Sequence, residues 1–332
     1  MSSEILSDVL RTVRLTGAIF FDVTSRAPWV AVAPPTAELA EMVIPGAEHV
    51  IEYHVVLSGT CWAARSSGDN EPPVKLEPGS IVIFPHGHGH VLSSAPGMRA
   101  RPELDLYRLP TEDQRLPHVL RKDDGGEETQ LICGFLGCDA RPFNPVIEAL
   151  PPVVHIADGF GGDGMLAGLI RAAVAESRSR RLGGESVLSR LSELIFIEIV
   201  RRYAERLPTG ASGWFGALSD PQVGRALRLL HAEPARAWTL AALARETGLS
   251  RSVLAERFAA ALGAPPMTYL QNWRMQIASS LLAVGSLTVA QIAMEVGYES
   301  EAAFSRAFKR VTGEPPGARR GQGSRRMSAR SG

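Results

Sequence analysis

The feature that most constrains the fold is an internal repeat in the last third of the sequence. The segments TLAALARETG (239–248) and TVAQIAMEVG (288–297) share a threonine, two alanines, a glutamate and a glycine at matched places, and a Ser-x7-Phe pattern follows each. Each threonine predicts a helix N-cap, and each glycine predicts a left-handed helix end. A second short helix follows each glycine. The repeat therefore predicts two helix-turn-helix units in tandem.

One amphipathic helix is predicted to connect the two units. Leu270, Trp273, Ile277 and Leu281 recur at helical spacing between 266 and 284, which predicts a helix of about 28 Å. One turn of B-DNA is roughly 34 Å, so this helix can set two recognition helices into successive major grooves. The predicted DNA-facing residues lie on the exposed faces of the two second helices: Arg251, Ser252, Glu256 and Arg257 on the first, and Ser300, Glu301, Ser305, Arg306 and Lys309 on the second.

The stretch from 293 to 316 carries a family resemblance through its run A-x3-GY-x-S-x3-F-x-R-x-FK-x3-G-x2-P. On these residues the chain resembles the AraC/XylS family of bacterial transcription regulators over about 220–320. The resemblance implies a further helix before the first unit, double-stranded promoter DNA as a partner, and RNA polymerase as a possible additional partner. One position departs from the family pattern, because Glu256 stands where a basic or amide side chain is usual. A carboxylate can accept a hydrogen bond from cytosine but is repelled by phosphates.

The first 150 residues are predicted to form a β-barrel or sandwich. Four segments rich in β-branched and aromatic residues (17–33, 50–64, 74–87 and 128–138) are separated by Pro, Gly and Asp clusters. Within them, Gly79-x5-Pro85-x-Gly87-x2-His90 resembles the second motif of the cupin barrel, and Glu52-x6-Gly59 resembles the end of the first. Residues 1–150 are thus predicted to be a cupin-like sensor domain.

The same motifs suggest a metal site. Imidazoles and a carboxylate can hold a transition metal, and the candidate ligands are Glu52, His54, His88 and His90. The paired histidines that the cupin family carries just before Glu52 are absent here. The cofactor therefore stays unidentified, with a divalent transition metal as the candidate. The alternative is that Glu52 and His90 are structural and that the other histidines are solvated loop residues.

Three cysteines offer a second possible sensing chemistry. Cys133 and Cys138 are the candidate redox pair, although their separation by five residues in a strand-like segment places them on opposite faces unless a bulge or the nearby glycines reshape it. A redox sensor needs an exposed thiol of low pKa with a resolving partner. The alternative is that both thiols, and Cys61 beside Trp62, are buried and inert.

Residues 151–207 are predicted to form a helical hairpin. Leu188, Leu191, Ile195 and Ile199 are spaced as one apolar face of its second helix. The family resemblance implies that such a hairpin forms the contact of a homodimer, and docking of this face onto the barrel is the alternative. Residues 208–219 are predicted to be a linker, and the basic segment 321–332 is predicted to be disordered.

Charge is divided unevenly along the chain. Its formal net charge is zero, but from Asp220 onward 15 Lys and Arg stand against 8 Asp and Glu, and before it 20 stand against 27. This division suits a basic nucleic-acid module fused to an acidic domain. No secretory signal and no stretch of roughly 20 apolar residues is present, which indicates a cytoplasmic protein that does not interact with membranes.

The predicted fold is thus α+β and multidomain: a cupin-like β-barrel, a helical hairpin and an all-α double helix-turn-helix domain (220–320). The predicted function is a sequence-specific DNA-binding transcription regulator that responds to a small ligand, a metal or an oxidant, without catalysis. Two alternatives remain open. One is a metal-dependent cupin oxygenase or isomerase fused to a DNA-binding domain, and the other is an architectural DNA binder without an effector.

Overall fold

A computed structural model describes residues 3–13, 15–67, 71–107, 118–122, 125–159, 164–179, 181–208 and 210–320. The chain divides into two compact units, each built from separate segments. The sheet unit comprises Leu15–Cys138 and Leu150–Glu205, and the helical unit comprises Met1–Arg14, Asp139–Ala149 and Arg206–Gly332. The predicted sensor segment 1–150 is therefore shared between the two units. None of the described helices is both long and apolar enough to cross a membrane.

Ten strands form the sheet unit. They are β1 (Thr16–Arg26), β2 (Val30–Ala33), β3 (His49–Ser58), β4 (Cys61–Arg65), β5 (Val74–Leu76), β6 (Ile81–Phe84), β7 (His90–Ser93), β8 (His118–Lys122), β9 (Glu128–Cys138) and β10 (Val154–Ile156). The larger sheet has the order β10-β6-β3-β9-β1-β8, and the smaller has the order β2-β7-β4-β5. All neighbouring strands are antiparallel except β1 and β8.

The two sheets enclose a shared apolar core. Leu76, Phe84 and Phe135 are fully buried members of this core. Within the described strands no hydrogen-bonded ladder joins one sheet to the other. The cupin-like domain is therefore two sheets packed against each other rather than one continuous closed sheet.

Twelve α-helices complete the described structure. They are α1 (Ser3–Thr12), α2 (Thr36–Val43), α3 (Pro145–Ala149), α4 (Met165–Ser179), α5 (Gly184–Arg206), α6 (Gly213–Ser219), α7 (Val223–Ala232), α8 (Leu240–Thr247), α9 (Arg251–Leu262), α10 (Pro266–Val284), α11 (Val289–Glu295) and α12 (Glu301–Thr312). Helices α4 and α5 lie in the segment predicted to be a helical hairpin.

The predicted partner stripe of α5 lies largely in the interior of the single chain. Leu188, Ile195 and Ile199 are each almost completely buried. On the same side of the helix, Ser192 lies with its hydroxyl 2.7 Å from the hydroxyl of Tyr53 on β3. This face therefore packs within its own unit, and the expectation that it forms a dimer contact is wrong for these three residues.

The helical unit contains elements that local sequence patterns did not predict. Helix α1 buries Ile5 and Val9, with buried Val13 directly after it, and packs on α3, α7 and α10. Helix α6 lies inside the predicted linker 208–219 and buries Trp214 and Phe215. Much of this linker is therefore part of a folded core, because its two large aromatic side chains gain by leaving water.

The two predicted helix-turn-helix units are present as α8–α9 and α11–α12, with α10 between them. The hydroxyl of Thr239 accepts from the amide of Ala242 to cap α8, and Thr288 forms a capping box with Gln291 at the start of α11. Gly297 follows α11 with φ of 80°, and a Cβ there would lie only 2.3 Å from a backbone oxygen. Only glycine fits this turn.

Candidate functional site

The first recognition helix, α9, presents a mixed exposed face. Leu254 and Phe258 anchor it to the core of its unit. Arg251, Ser252 and Glu256, all predicted to face DNA, are exposed. The exposed face also contains Val253, which the sequence analysis did not select and which is 41% exposed. An apolar side chain on such a face can contact the methyl group of thymine.

Arg257 on α9 has a structural partner. Its guanidinium donates to the carboxylate of Asp220 at 2.7 Å and also to the side chain of Gln222. The same Asp220 carboxylate accepts from the amides of Gln222 and Val223 at the start of α7. Arg257 thus ties α9 to α7, and its predicted contact with DNA would compete with this ion pair.

The second recognition helix, α12, carries the basic side chains. Phe304 and Phe308 are fully buried in a core shared with α10 and α11. Glu301, Arg306 and Lys309 are exposed and Ser305 is half-buried, as is expected for a DNA-facing side. Ser300 is the N-cap, because its hydroxyl accepts from the amide of Ala303 at 3.2 Å. Its backbone-bound hydroxyl is therefore less free to read a base than the guanidinium of Arg306.

A cavity of about 130 Å³ lies between the two sheets of the sheet unit. Most of its lining is aromatic or aliphatic, and its polar side chains come chiefly from β3 and β7. The lining residues are Phe21, Val23, Ser25, Trp29, Ala31, Ala33, Glu52, His54, His90, Leu92, Tyr107, Leu131, Cys133 and Phe135. A concave, largely apolar site with a few convergent polar groups is the usual form of a small-molecule site.

Three of the predicted metal ligands meet at one wall of this cavity. Glu52 and His54 are two residues apart on β3, so both side chains point inward, and His90 begins β7. The Nε2 atoms of His54 and His90 are 2.8 Å apart. Oxygens of the Glu52 carboxyl lie 3.6 Å from His54 Nε2 and 3.8 Å from His90 Nε2. These three side chains, called here the Glu-His-His cluster, are all buried.

Burial favours the uncharged forms of these side chains. It raises the pKa of Glu52 well above its ordinary range and lowers the pKa of His90 to about 4. Burial, and then the neighbouring His90, lower the pKa of His54. Nδ1 of His90 lies 3.1 Å from the carbonyl oxygen of His88 and can only donate to it, so Nε2 of His90 faces the cluster as an acceptor.

His88 is not part of this cluster, although the sequence pattern placed it there. Between β6 and β7 the chain is not extended, because Pro85 and His86 form a turn and Gly87 has a left-handed φ of 68°. The alternation of side chains is therefore broken before His88. Its ring lies instead beside His86, with 5.5 Å between the ring centres.

The two candidate redox cysteines are not brought together. Cys133 lines the cavity with Leu131 and Phe135, whereas Cys138 lies five residues further along β9 on its other face. Both thiols are buried. Burial, and then the nearby Glu52, raise the pKa of Cys133, and burial raises the pKa of Cys61 to about 12. These surroundings disfavour the reactive thiolate.

Sequence reasoning missed most of the cavity wall. Trp29, Ala31 and Ala33 occupy alternate positions around β2 and all face the cavity. This alternation is visible in the sequence, but it does not reveal which face is inward. Tyr107 reaches the wall from a short 3-10 turn, and no local pattern pointed to it.

Comparisons with known protein families match both parts of the chain. Residues 4–205 match a cupin family, and residues 243–322 match a family described as a helix-turn-helix domain.

Individual relatives extend over most of the chain. An AraC-like transcription regulator of Streptomyces lividans is 33% identical over 82% of this chain and 86% of its own length. The transcriptional regulator AlkR of Acinetobacter baylyi is 28% identical over 81% of this chain and 87% of its own. The RCS-specific transcriptional activator RclR of Escherichia coli is 28% identical, with coverage of 81% and 83%.

Two solved structures also align with the chain at low structural similarity. A transcriptional regulator of the AraC-type DNA-binding domain-containing proteins from Chromobacterium violaceum is 28% identical and aligns with 32% of this chain and 96% of its own, with a TM-score of 0.31. ToxT of Vibrio cholerae is 11% identical and aligns with 94% of this chain and 98% of its own, with a TM-score of 0.34.

Proposed function

Since the chain belongs to the AraC-like transcription regulators, with a cupin-type sensor domain and a helix-turn-helix DNA-binding domain, we propose that α9 and α12 bind the two halves of one promoter site. A ligand in the cavity controls this binding. The observation that carries this proposal is the pair of exposed recognition faces on α9 and α12. Both helices belong to the same compact unit, and the continuous helix α10 lies between them in the chain. Such an arrangement supports binding to two major-groove segments of one duplex.

The experiment is selection of binding sites from a random duplex library by the full-length protein. The expected result is a site with two conserved blocks separated by about one helical turn. Guanines should be conserved in the block that Arg306 contacts, and Arg306→Ala should remove that conservation only. Enrichment without any conserved block would contradict sequence-specific binding.

We also infer that the Glu-His-His cluster can hold a divalent transition metal. Two neighbouring ligands of an octahedral ion at about 2.1 Å lie about 3.0 Å apart, and tetrahedral ligands about 3.4 Å, close to the separations measured between Glu52, His54 and His90. One carboxylate oxygen of Glu52 has no hydrogen-bond partner among the described residues. The contact from His90 Nδ1 to the His88 carbonyl orients the ring as a ligand requires. Two histidines and one carboxylate suit an ion that keeps open positions.

The metal proposal is tested by measuring the metal content of the full-length protein purified without an affinity tag. Glu52→Ala and His90→Ala should lose the metal, because each removes one of three ligands. His88→Ala is the matched control, because it keeps the backbone carbonyl that orients His90 and should retain the metal. Loss of metal from all three variants, or absence of metal after reloading of the parent protein, would contradict the proposal.

For the dimer we propose the outward face of α5. Val187, Leu191 and Leu194 are spaced along one side of this helix, and Val187 and Leu194 are 45% and 40% exposed. An antiparallel pairing centred on Leu194 would also place Arg190 of each copy near Glu198 of the other, four positions on either side of Leu194. Opposite charges at symmetric places favour such a self-complementary contact.

Four further predictions remain part of this proposal. The redox prediction is retained for Cys133 alone, because it faces the cavity and Cys138 does not, although burial of Cys133 disfavours the reactive thiolate. A regulator of promoters works where the DNA is, so we place it in the cytoplasm, with RNA polymerase as a possible partner. We assign it no turnover, because its characterised relatives are named as regulators.

A further inference from the structure

We propose that the cavity takes a compact, uncharged organic molecule with one ring-sized apolar body and a single hydroxyl or carbonyl group. This inference rests on the proposed sensor function and deepens it by naming the chemical class of the effector. Size, polarity and charge of the cavity each support it.

The size of the cavity limits the ligand to about one ring. Its volume of about 130 Å³ is close to that of an engineered cavity of about 150 Å³ that holds benzene. The wall is preformed, because Phe21, Tyr107 and Phe135 pack edge to face with ring centres 5.9–6.3 Å apart. On the opposite sheet, the small side chains of Ala31 and Ala33 leave the space open.

The polar groups of the cavity are few. The indole N–H of Trp29 is buried and has no hydrogen-bond partner among the described residues. Nδ1 of His54 and one oxygen of Glu52 are also buried without a hydrogen-bond partner among the described residues. An unpaired buried donor or acceptor is costly, and a ligand hydroxyl can both donate and accept. Most of the wall is aromatic or aliphatic, so the several hydroxyl groups of a sugar would lose water without gaining enough hydrogen-bond partners.

The charge of the lining opposes an anionic ligand. No lysine or arginine is among the residues that line the cavity in the described part of the chain. A buried carboxylate or phosphate would therefore lack a protein cation. An amine finds only Glu52, which already lies near two histidines. In the metal-free protein, the residues that line the cavity thus select for a neutral ligand.

The test is calorimetric titration of the full-length, chelator-treated protein with phenol, benzene, benzoate and arabinose. Chelation isolates the preference of the protein residues from that of a metal. Phenol should bind more tightly than benzene, and benzoate and arabinose should bind at least about tenfold more weakly than phenol. Benzoate or arabinose binding as tightly as phenol would overturn the inference.

Three variants assign the binding to this cavity. Trp29→Phe should weaken phenol about tenfold and leave benzene nearly unchanged, because it removes one donor and keeps an aromatic ring. Ala33→Leu should block both compounds by filling the space. Leu131→Ala should enlarge the cavity and so shift its preference from phenol toward 4-ethylphenol. Circular dichroism checks that each variant is folded, and unchanged affinities in all three folded variants would place the binding elsewhere and overturn the inference.

A parallel measurement separates this inference from the regulator proposal. The same protein preparation is titrated with its selected DNA site without any organic probe. Intact DNA binding with no affinity for phenol would overturn only the ligand inference. Phenol binding without DNA binding would support the ligand inference and contradict the proposed function.

Discussion

At the scale of single residues, Arg306 is the side chain with the clearest expected effect on DNA recognition. It is exposed on α12 and has no intramolecular ion pair among the described residues. Arg306→Ala should cost about 1–3 kcal/mol of specific binding if the guanidinium contacts a guanine. The measurement is a binding titration against operators changed one base pair at a time.

Lys309→Ala is the matched control for this substitution. Lys309 is exposed one helical turn further along α12, and a contact with phosphate would weaken all operators equally and reduce the salt dependence. An Arg306→Ala variant that shows the same uniform loss would identify Arg306 as a phosphate contact and contradict base reading.

His231 gives the helical unit a predicted acid sensitivity. Its Nε2 lies 2.8 Å from the hydroxyl of Tyr269, which accepts from the indole N–H of Trp214. Burial lowers the pKa of His231 to about 3, whereas the pKa of a histidine in an unfolded chain is about 6.5. The unfolded state therefore binds the proton first. The contribution of neutral His231 to the free energy of unfolding is fully present above about pH 6.5 and is lost as the pH falls toward 3.

The variant His231→Gln isolates this effect. Between about pH 7.5 and 5, the parent should lose about 2 kcal/mol of unfolding free energy that the variant does not lose. Urea unfolding followed by circular dichroism at several pH values gives both slopes. Equal slopes would show that this histidine does not control acid stability.

Local rules predicted residue positions only where the backbone follows a regular repeat. Glu52 and His90 were found from glycine- and proline-containing motifs, and His54 was selected because it lies in the same predicted strand segment as Glu52. His88 was misplaced because the left-handed Gly87 interrupts the alternation of side chains before it. Trp29 could not be assigned to the cavity, since inward and outward faces of a strand differ only in what packs against them.

At the scale of secondary structure elements, α5 provides a matched pair of substitutions. Leu194 is 40% exposed and its neighbour Ile195 is 2% exposed. Leu194→Asp should yield folded monomers with weaker DNA binding. Ile195→Asp should destabilise the sheet unit by roughly 2–4 kcal/mol, because it buries a charge, and leave the mass unchanged. Sedimentation gives the mass and thermal unfolding gives the stability.

Two outcomes would contradict the proposed dimer face. One is a parent protein that sediments as a monomer, and the other is a Leu194→Asp variant with the mass of the parent dimer. The pair is informative because the two positions are adjacent and receive the same charge. Only the side of the helix differs.

The elements that were predicted well are those whose ends are encoded locally. Helix α10 runs from Pro266 to Val284 as predicted, because a proline begins it and Gly285 ends it in a left-handed conformation. Which face of α5 is buried was not predicted. Apolar residues cover a wide arc of that helix, so their spacing is compatible with two different buried faces. Helices α1 and α6 were missed because they are stabilised by burial against distant segments.

At the scale of the whole molecule, the bipartite arrangement predicts a strict requirement for operator spacing. Helices α9 and α12 both belong to the helical unit, and α10 is an unbroken helix between the two helix-turn-helix units. Inserting five base pairs between the two conserved blocks should rotate them to opposite faces of the DNA and weaken binding at least about tenfold.

An insertion of ten base pairs provides the control for this prediction. It restores the rotational phase but adds one helical turn of distance, which a rigid connection cannot span. Both insertions should therefore fail in a gel-shift titration. DNA binding that recovers with the ten-base-pair insertion would show that the two helix-turn-helix units move independently. It would contradict a rigid connection between them.

The packing of α1 has a consequence for synthesis on the ribosome. This helix buries Ile5 and Val9, and it packs on α7 and α10, which are translated much later. At about 5–20 residues per second, the roughly 210 residues between α1 and α7 take on the order of ten to forty seconds. During that interval the apolar face of α1 is without these two native partners on the nascent chain. A chaperone that binds short apolar helices near the exit tunnel therefore has a defined target in this protein, and translation stalled before α7 should release chains that aggregate through α1.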